Sequence, residues 1–89
     1  MNGFDVTKLN IRHVAGEVFL IDSDISGGYH KPLCVNETGE LIVSYLKEGC
    51  SIIDTAEKLA RIYDTVPSEM EEDIGLFLEA LNKQYEIWK

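Results

Sequence analysis

Leu33-Cys34-Val35-Asn36-Glu37-Thr38-Gly39-Glu40-Leu41-Ile42 is where this 89-residue chain changes period, from the alternation of strands to that of helices. Asn36 is a good N-cap, because its side-chain oxygen can accept from the free amides of a first helical turn. Thr38, Leu41, Ile42, Tyr45 and Leu46 then follow at i, i+3, i+4, i+7 and i+8, which is an amphipathic helical stripe. Gly49 stands where a left-handed residue would end that helix.

Downstream, Ser51 and Asp54 form a capping-box pattern, and a second helix carries the stripe Ile52, Ile53, Ala56, Leu59, Ala60 and Tyr63. Pro67 suits the first turn of a third helix, although Val66 before it has no side-chain oxygen to cap with unless Thr65 substitutes. The stripe of that helix is Met70, Ile74, Phe77, Leu78 and Leu81. Tyr85-Glu86-Ile87-Trp88-Lys89 either prolongs it or adds a short strand.

Upstream, Glu17-Val18-Phe19-Leu20-Ile21-Asp22 is rich in β-branched and aromatic residues and reads as a strand. Ile11-Arg12-His13-Val14 is a shorter strand, parted from it by a tight turn at Ala15-Gly16. Asp22-Ser23-Asp24-Ile25-Ser26-Gly27-Gly28 has the composition of a loop. Residues 29–35 return as a third strand. Pro32 cannot donate to a ladder and marks that strand as an edge, or marks its end.

A small sheet cannot bury its apolar face alone, so it must pack on the helices. The expectation is one α+β domain over residues 1–89, with its core in about 11–87. It has a winged helix-turn-helix-like arrangement, a three-stranded antiparallel N-terminal sheet packed on three α-helices.

Composition narrows the function. Sixteen acidic residues stand against eight basic ones, for a net charge of −8. Nucleic-acid binding draws its affinity from cations that displace counterions, and anionic membranes attract the same groups, so both partners are disfavoured. The N-terminal Met1-Asn2-Gly3-Phe4-Asp5 lacks the basic and apolar regions of a signal peptide. Cys34 and Cys50 form no CxxC pair and read as reduced thiols. A cytoplasmic protein is expected, a monomer or weak dimer.

Catalytic constellations are missing from the sequence. His30 and Cys34, four apart on a strand, would lie roughly 13 Å from one another at ~3.3 Å per residue, too far to act as a pair. No phosphate-binding loop, HExxH or Gly-x-Ser-x-Gly elbow occurs. No catalytic residue, metal ligand or cofactor is therefore assigned. Glu69, Glu71, Glu72 and Asp73 fall early in the third helix, where the helix dipole favours negative charge. Leu76 projects outside the apolar stripe of that helix, with Glu69, Asp73 and Ala80 on the flank between. An edge strand beside such a flank invites β-augmentation, in which a peptide adds its backbone to the sheet.

The segment from Leu33 to Ile42 resembles the "LNETG…I" run of PqqD-like proteins, the recognition elements of ribosomally synthesised, modified peptides. Ile52-Ile53-Asp54-Thr55-Ala56-Glu57-Lys58-Leu59 resembles their "T-V-x-E-I-A-x-x-L", and Ile62-Tyr63-Asp64 is similar to the ending of that motif. Glu71-Glu72-Asp73-Ile74-Gly75-Leu76-Phe77-Leu78 resembles "x-x-D-V-x-x-F-L". The likeness covers roughly residues 11–87. Three positions depart from it. Val35 stands for a leucine, Val66 holds the third helix's N-cap position, and Tyr85 replaces a glycine.

The resemblance implies a stand-alone protein that catalyses nothing. It would bind the leader of a precursor peptide by strand addition and deliver it to a modifying enzyme, such as a radical SAM maturase or a leader protease. Carried onto this chain, the strand side of the groove is Tyr29, His30, Lys31, Leu33, Cys34 and Val35. The helix side is Glu69, Met70, Asp73, Leu76, Phe77 and Ala80. Pro32 would shorten or shift the register of a bound leader. The competing function is a nucleic-acid-binding winged helix, which would need a basic recognition helix. The third helix has no Lys or Arg before Lys83. Its acidity instead leads us to expect a leader with basic residues flanking apolar anchors.

Overall fold

Three antiparallel strands precede three helices in the computed structural model, which describes residues 6–22 and 32–88. After a short 3-10 turn at Val6–Lys8 come β1 (Leu9–Val14), β2 (Glu17–Asp22) and β3 (Leu33–Val35). The helices are α1 (Glu37–Lys47), α2 (Ile52–Tyr63) and α3 (Pro67–Trp88). The fold is therefore α+β, as the change of period at Asn36 predicts. No helix among the described residues is long and apolar enough to cross a membrane.

The hairpin turn is set by backbone sign. Ala15 and Gly16 both have positive φ, 53° and 83°, so the two-residue loop matches the right-handed twist of its strands. Val14 pairs with Glu17 directly across it, and the register continues to Leu9 opposite Asp22. β3 pairs with β2 through Val18–Val35, Phe19–Cys34 and Leu20–Leu33, giving the order β1-β2-β3. Of the expected strand 29–35, residues 29–31 lie outside the described residues; β3 as described begins at Leu33, immediately after Pro32. The missing N–H of Pro32 is a physical reason for that boundary.

Alternation sends Leu9, Leu20, Leu33 and Val35 toward the helices, and Phe19 and Cys34 to the opposite face. Leu9 and Leu20 are fully buried with Val43 and Leu81, so this cluster joins sheet, α1 and α3. A second cluster of Ile42, Ala56, Leu59, Ala60, Met70 and Ile74 joins the three helices. Adjacent residues Ile42 and Val43 thus feed different clusters, because α1 packs on the sheet through one face and on the helices through another.

Helix ends follow the expected chemistry in α1 and α2. Asn36 Oδ1 accepts from Gly39 N at 2.9 Å, and Ser51 Oγ accepts from Asp54 N at 3.0 Å. Gly49, just past α1, has φ 99°. Asp64 closes α2 in the left-handed region, φ 53°, a conformation short polar side chains tolerate. Before α3, the Thr65 hydroxyl donates to the Glu69 carboxylate at 3.1 Å. The residues from Tyr85 onward prolong α3 to Trp88 rather than forming a strand.

The predicted stripe of α2 needs correction. Ile52, Ile53 and Tyr63 are exposed, and the buried face is Thr55, Ala56, Leu59 and Ala60. Ile52 and Tyr63 point the right way but sit at the two ends of a twelve-residue helix, where they stay 45% and 38% exposed. The small Ala56 and Ala60 side chains let that middle approach its neighbours closely.

Candidate functional site

β3 is an outer strand, with no strand beyond it among the described residues. At its C-terminal end, where Asn36 turns the chain into α1, a cleft of about 340 Å³ opens between the start of α1 and the middle of α3. Asn36, Thr38, Gly39 and Ile42 line one wall; Asp73, Leu76 and Phe77 line the other. Residues 73, 76 and 77 share a helix face by their i, i+3, i+4 spacing.

Gly39 brings the walls together. A Cβ at this position would lie 2.9 Å from Phe77 Cε1 and 3.2 Å from Val35 Cβ, closer than packed carbons tolerate. Strand, helix start and aromatic ring therefore meet at a point where only a hydrogen fits. Phe77 is half-buried and packs against both core clusters, so its ring forms a fixed apolar floor. Leu76 beside it is 61% exposed, the most open of the large apolar side chains among the described residues.

The polar groups of the cleft differ in how far they are engaged. The Asn36 carboxamide oxygen is held by the Gly39 amide, and the Thr38 hydroxyl donates to the Tyr63 hydroxyl at 3.1 Å. The Asp73 carboxylate is exposed and makes no ion pair or hydrogen bond among the described residues. No Lys or Arg lines the cleft.

The residues expected on the groove divide into three sets. Asp73, Leu76 and Phe77 line the cleft, and Val35 abuts its floor at Gly39. Leu33 is half-buried in the sheet-side core, Met70 is 5% exposed within the helical core, and Ala80 and Glu69 are exposed outside the cleft. Met70 therefore supports the wall from behind. Tyr29, His30 and Lys31 lie outside the described residues.

Cys34 projects from the opposite face of the sheet. Its thiol donates to the Glu17 carboxylate at 3.3 Å, and that hydrogen bond, more than slight desolvation or the adjacent negative charge, pushes its pKa up. The Cys34 side chain thus has no part in the cleft. The sequence reading missed the α1 wall. Its available signal was Gly39 itself, because glycine in a helical turn costs about 1 kcal/mol relative to alanine and calls for a packing reason.

Among the described residues, no group of three or more His, Cys, Asp or Glu side chains could hold a metal ion. His13 Nε2 lies 2.7 Å from Glu40 Oε2, tying β1 to α1 at the surface away from the cleft. Comparison with known proteins adds no relative: no family model matches the chain, and no curated protein or solved structure matches it significantly.

Proposed function

We propose that this chain is a PqqD-like peptide-recognition domain, which receives the leader of a ribosomally made precursor and carries it to a modifying enzyme without catalysing a step itself. The observation that carries the proposal is the outer edge of β3 running into a cleft with a Phe77 floor and the exposed Leu76 as its lip. An extended peptide could satisfy the strand's outward backbone groups and set the hydrocarbon part of a side chain against those two residues. This is recognition by strand addition, in which the ladder supplies affinity and the pocket supplies specificity. The resemblance of the Asn36-Glu37-Thr38-Gly39 run and of Asp73-Ile74-Gly75-Leu76-Phe77-Leu78 supports the same assignment.

Leader peptides spelled by short reading frames beside the gene are the ligands to test, by calorimetric titration against the protein and its Leu76→Asp variant. Leu76 is exposed, so the substitution leaves the core intact. The proposal expects binding that weakens at least tenfold in the variant, since the substitution puts a charge against the buried contact. Equal affinity for both proteins would remove the cleft from the binding surface.

A further inference from the structure

Resting on the peptide-docking assignment, we infer that the cleft is built for one cationic side chain of the bound peptide, a lysine or arginine. Its aliphatic stem lies over Phe77 and Leu76, and its charged head reaches Asp73.

Shape and charge argue this together. The cleft is apolar at its base, where Ile42 and Phe77 meet the bare backbone of Gly39, and anionic at its rim, where Asp73 stands without a counter-ion among the described residues. A side chain that suits both has a hydrocarbon stem and a cationic tip, which only lysine and arginine combine. A leucine or phenylalanine would fill the base and leave the carboxylate without a partner. An acidic side chain would be repelled by it.

The surroundings reinforce the sign. α3 carries Glu69, Glu71, Glu72 and Glu79 around Asp73 and no cation before Lys83. The only cation of α1, Lys47, sits at the far end of that helix and donates to Thr7 O and Leu9 O. The Glu40 carboxylate is engaged by His13. With a net charge of −8, the field of the whole chain also favours the approach of a basic peptide. Asp73 is therefore a specificity-determining residue, while the β3 edge and Leu76 supply the sequence-independent part of the affinity.

The test is selection of a displayed random twelve-residue peptide library on three proteins: wild type, Asp73→Asn and Asp73→Lys. Asp73 is exposed on a helix, and a thermal melt of each variant confirms that the fold is kept. Wild type should enrich peptides with Lys or Arg at one fixed position of the aligned sequences. Asp73→Asn should lose that preference, and Asp73→Lys should replace it with Asp or Glu. In a selected peptide, exchange of the basic residue for norleucine should weaken wild-type binding by about three- to fivefold, with under a twofold effect on Asp73→Asn. Selected peptides that depend on Leu76 but show no basic preference, or keep it in Asp73→Asn, would overturn the cation site and leave the docking assignment standing. Peptides indifferent to Leu76→Asp, or no enrichment at all, would overturn both.

Discussion

The position of a Cβ on Gly39 lies 2.9 Å from Cε1 of Phe77, so the first turn of α1 and the middle of α3 approach as closely as backbone and ring allow. This contact fixes the floor of the cleft, and it explains why the first turn of a helix holds a residue that disfavours helices. Gly39→Ala should gain helix propensity yet lose more to overpacking, because Val35 Cβ stands on the other side at 3.2 Å. A net loss of roughly 1–2 kcal/mol is expected in urea unfolding. Displacement of the Phe77 ring should weaken leader binding further than the loss of stability accounts for.

Thr55 is fully buried on α2, and its hydroxyl has no hydrogen-bond partner among the described residues. Valine preserves the β-branched shape and removes the unsatisfied group. Thr55→Val should leave stability unchanged or raise it by up to about 1 kcal/mol, read from the midpoint of a denaturant titration. A loss of more than that would mean the hydroxyl has a partner.

Lys47, in the last turn of α1, reaches across to Thr7 O at 2.9 Å and Leu9 O at 2.7 Å. It thereby anchors the Val6–Lys8 turn and the start of β1 to a helix some forty residues away. Lys47→Met should lower stability by about 1–2 kcal/mol, since a charged donor to two carbonyls is lost. Amide exchange should quicken in β1 first.

The hydrogen bond from Cys34 to Glu17 holds the thiol protonated and raises its pKa. Alkylation by iodoacetamide near neutral pH should therefore be slow, and Glu17→Gln should quicken it several-fold by raising the thiolate fraction. Peptide mass spectrometry distinguishes Cys34 from Cys50. An unchanged rate at Cys34 would show that the contact is not formed in solution.

Much of this fold is legible along the chain because local chemistry dictates it. Asn36 and Ser51 cap, Gly49 ends α1, Ala15-Gly16 turns the hairpin, and the α3 stripe is the buried one. The α2 stripe was harder to read. Periodicity reports direction, and it put Ile52 and Tyr63 on the buried side, but only the tertiary arrangement decides where cover stops. Thr55 is not legible as a core residue because it is polar, and Val43 is not because α1 buries two faces rather than one. On the site, Leu76 and Asp73 stood out as residues off the stripe, whereas the α1 wall depends on a contact between residues thirty-eight apart in the chain. Lys47 is invisible in sequence for the same reason.

The central claim is that a peptide adds to the outer edge of β3 and reaches into the cleft at its end. Isotope-edited NMR of the protein with a bound leader tests it most directly, by the contacts between the two chains. The account predicts cross-strand contacts from the leader backbone to residues 33–35, together with leader side-chain contacts to Leu76 and Phe77. Contacts confined to the opposite sheet face around Phe19 and Cys34, or to the exposed isoleucines of α2, would contradict it.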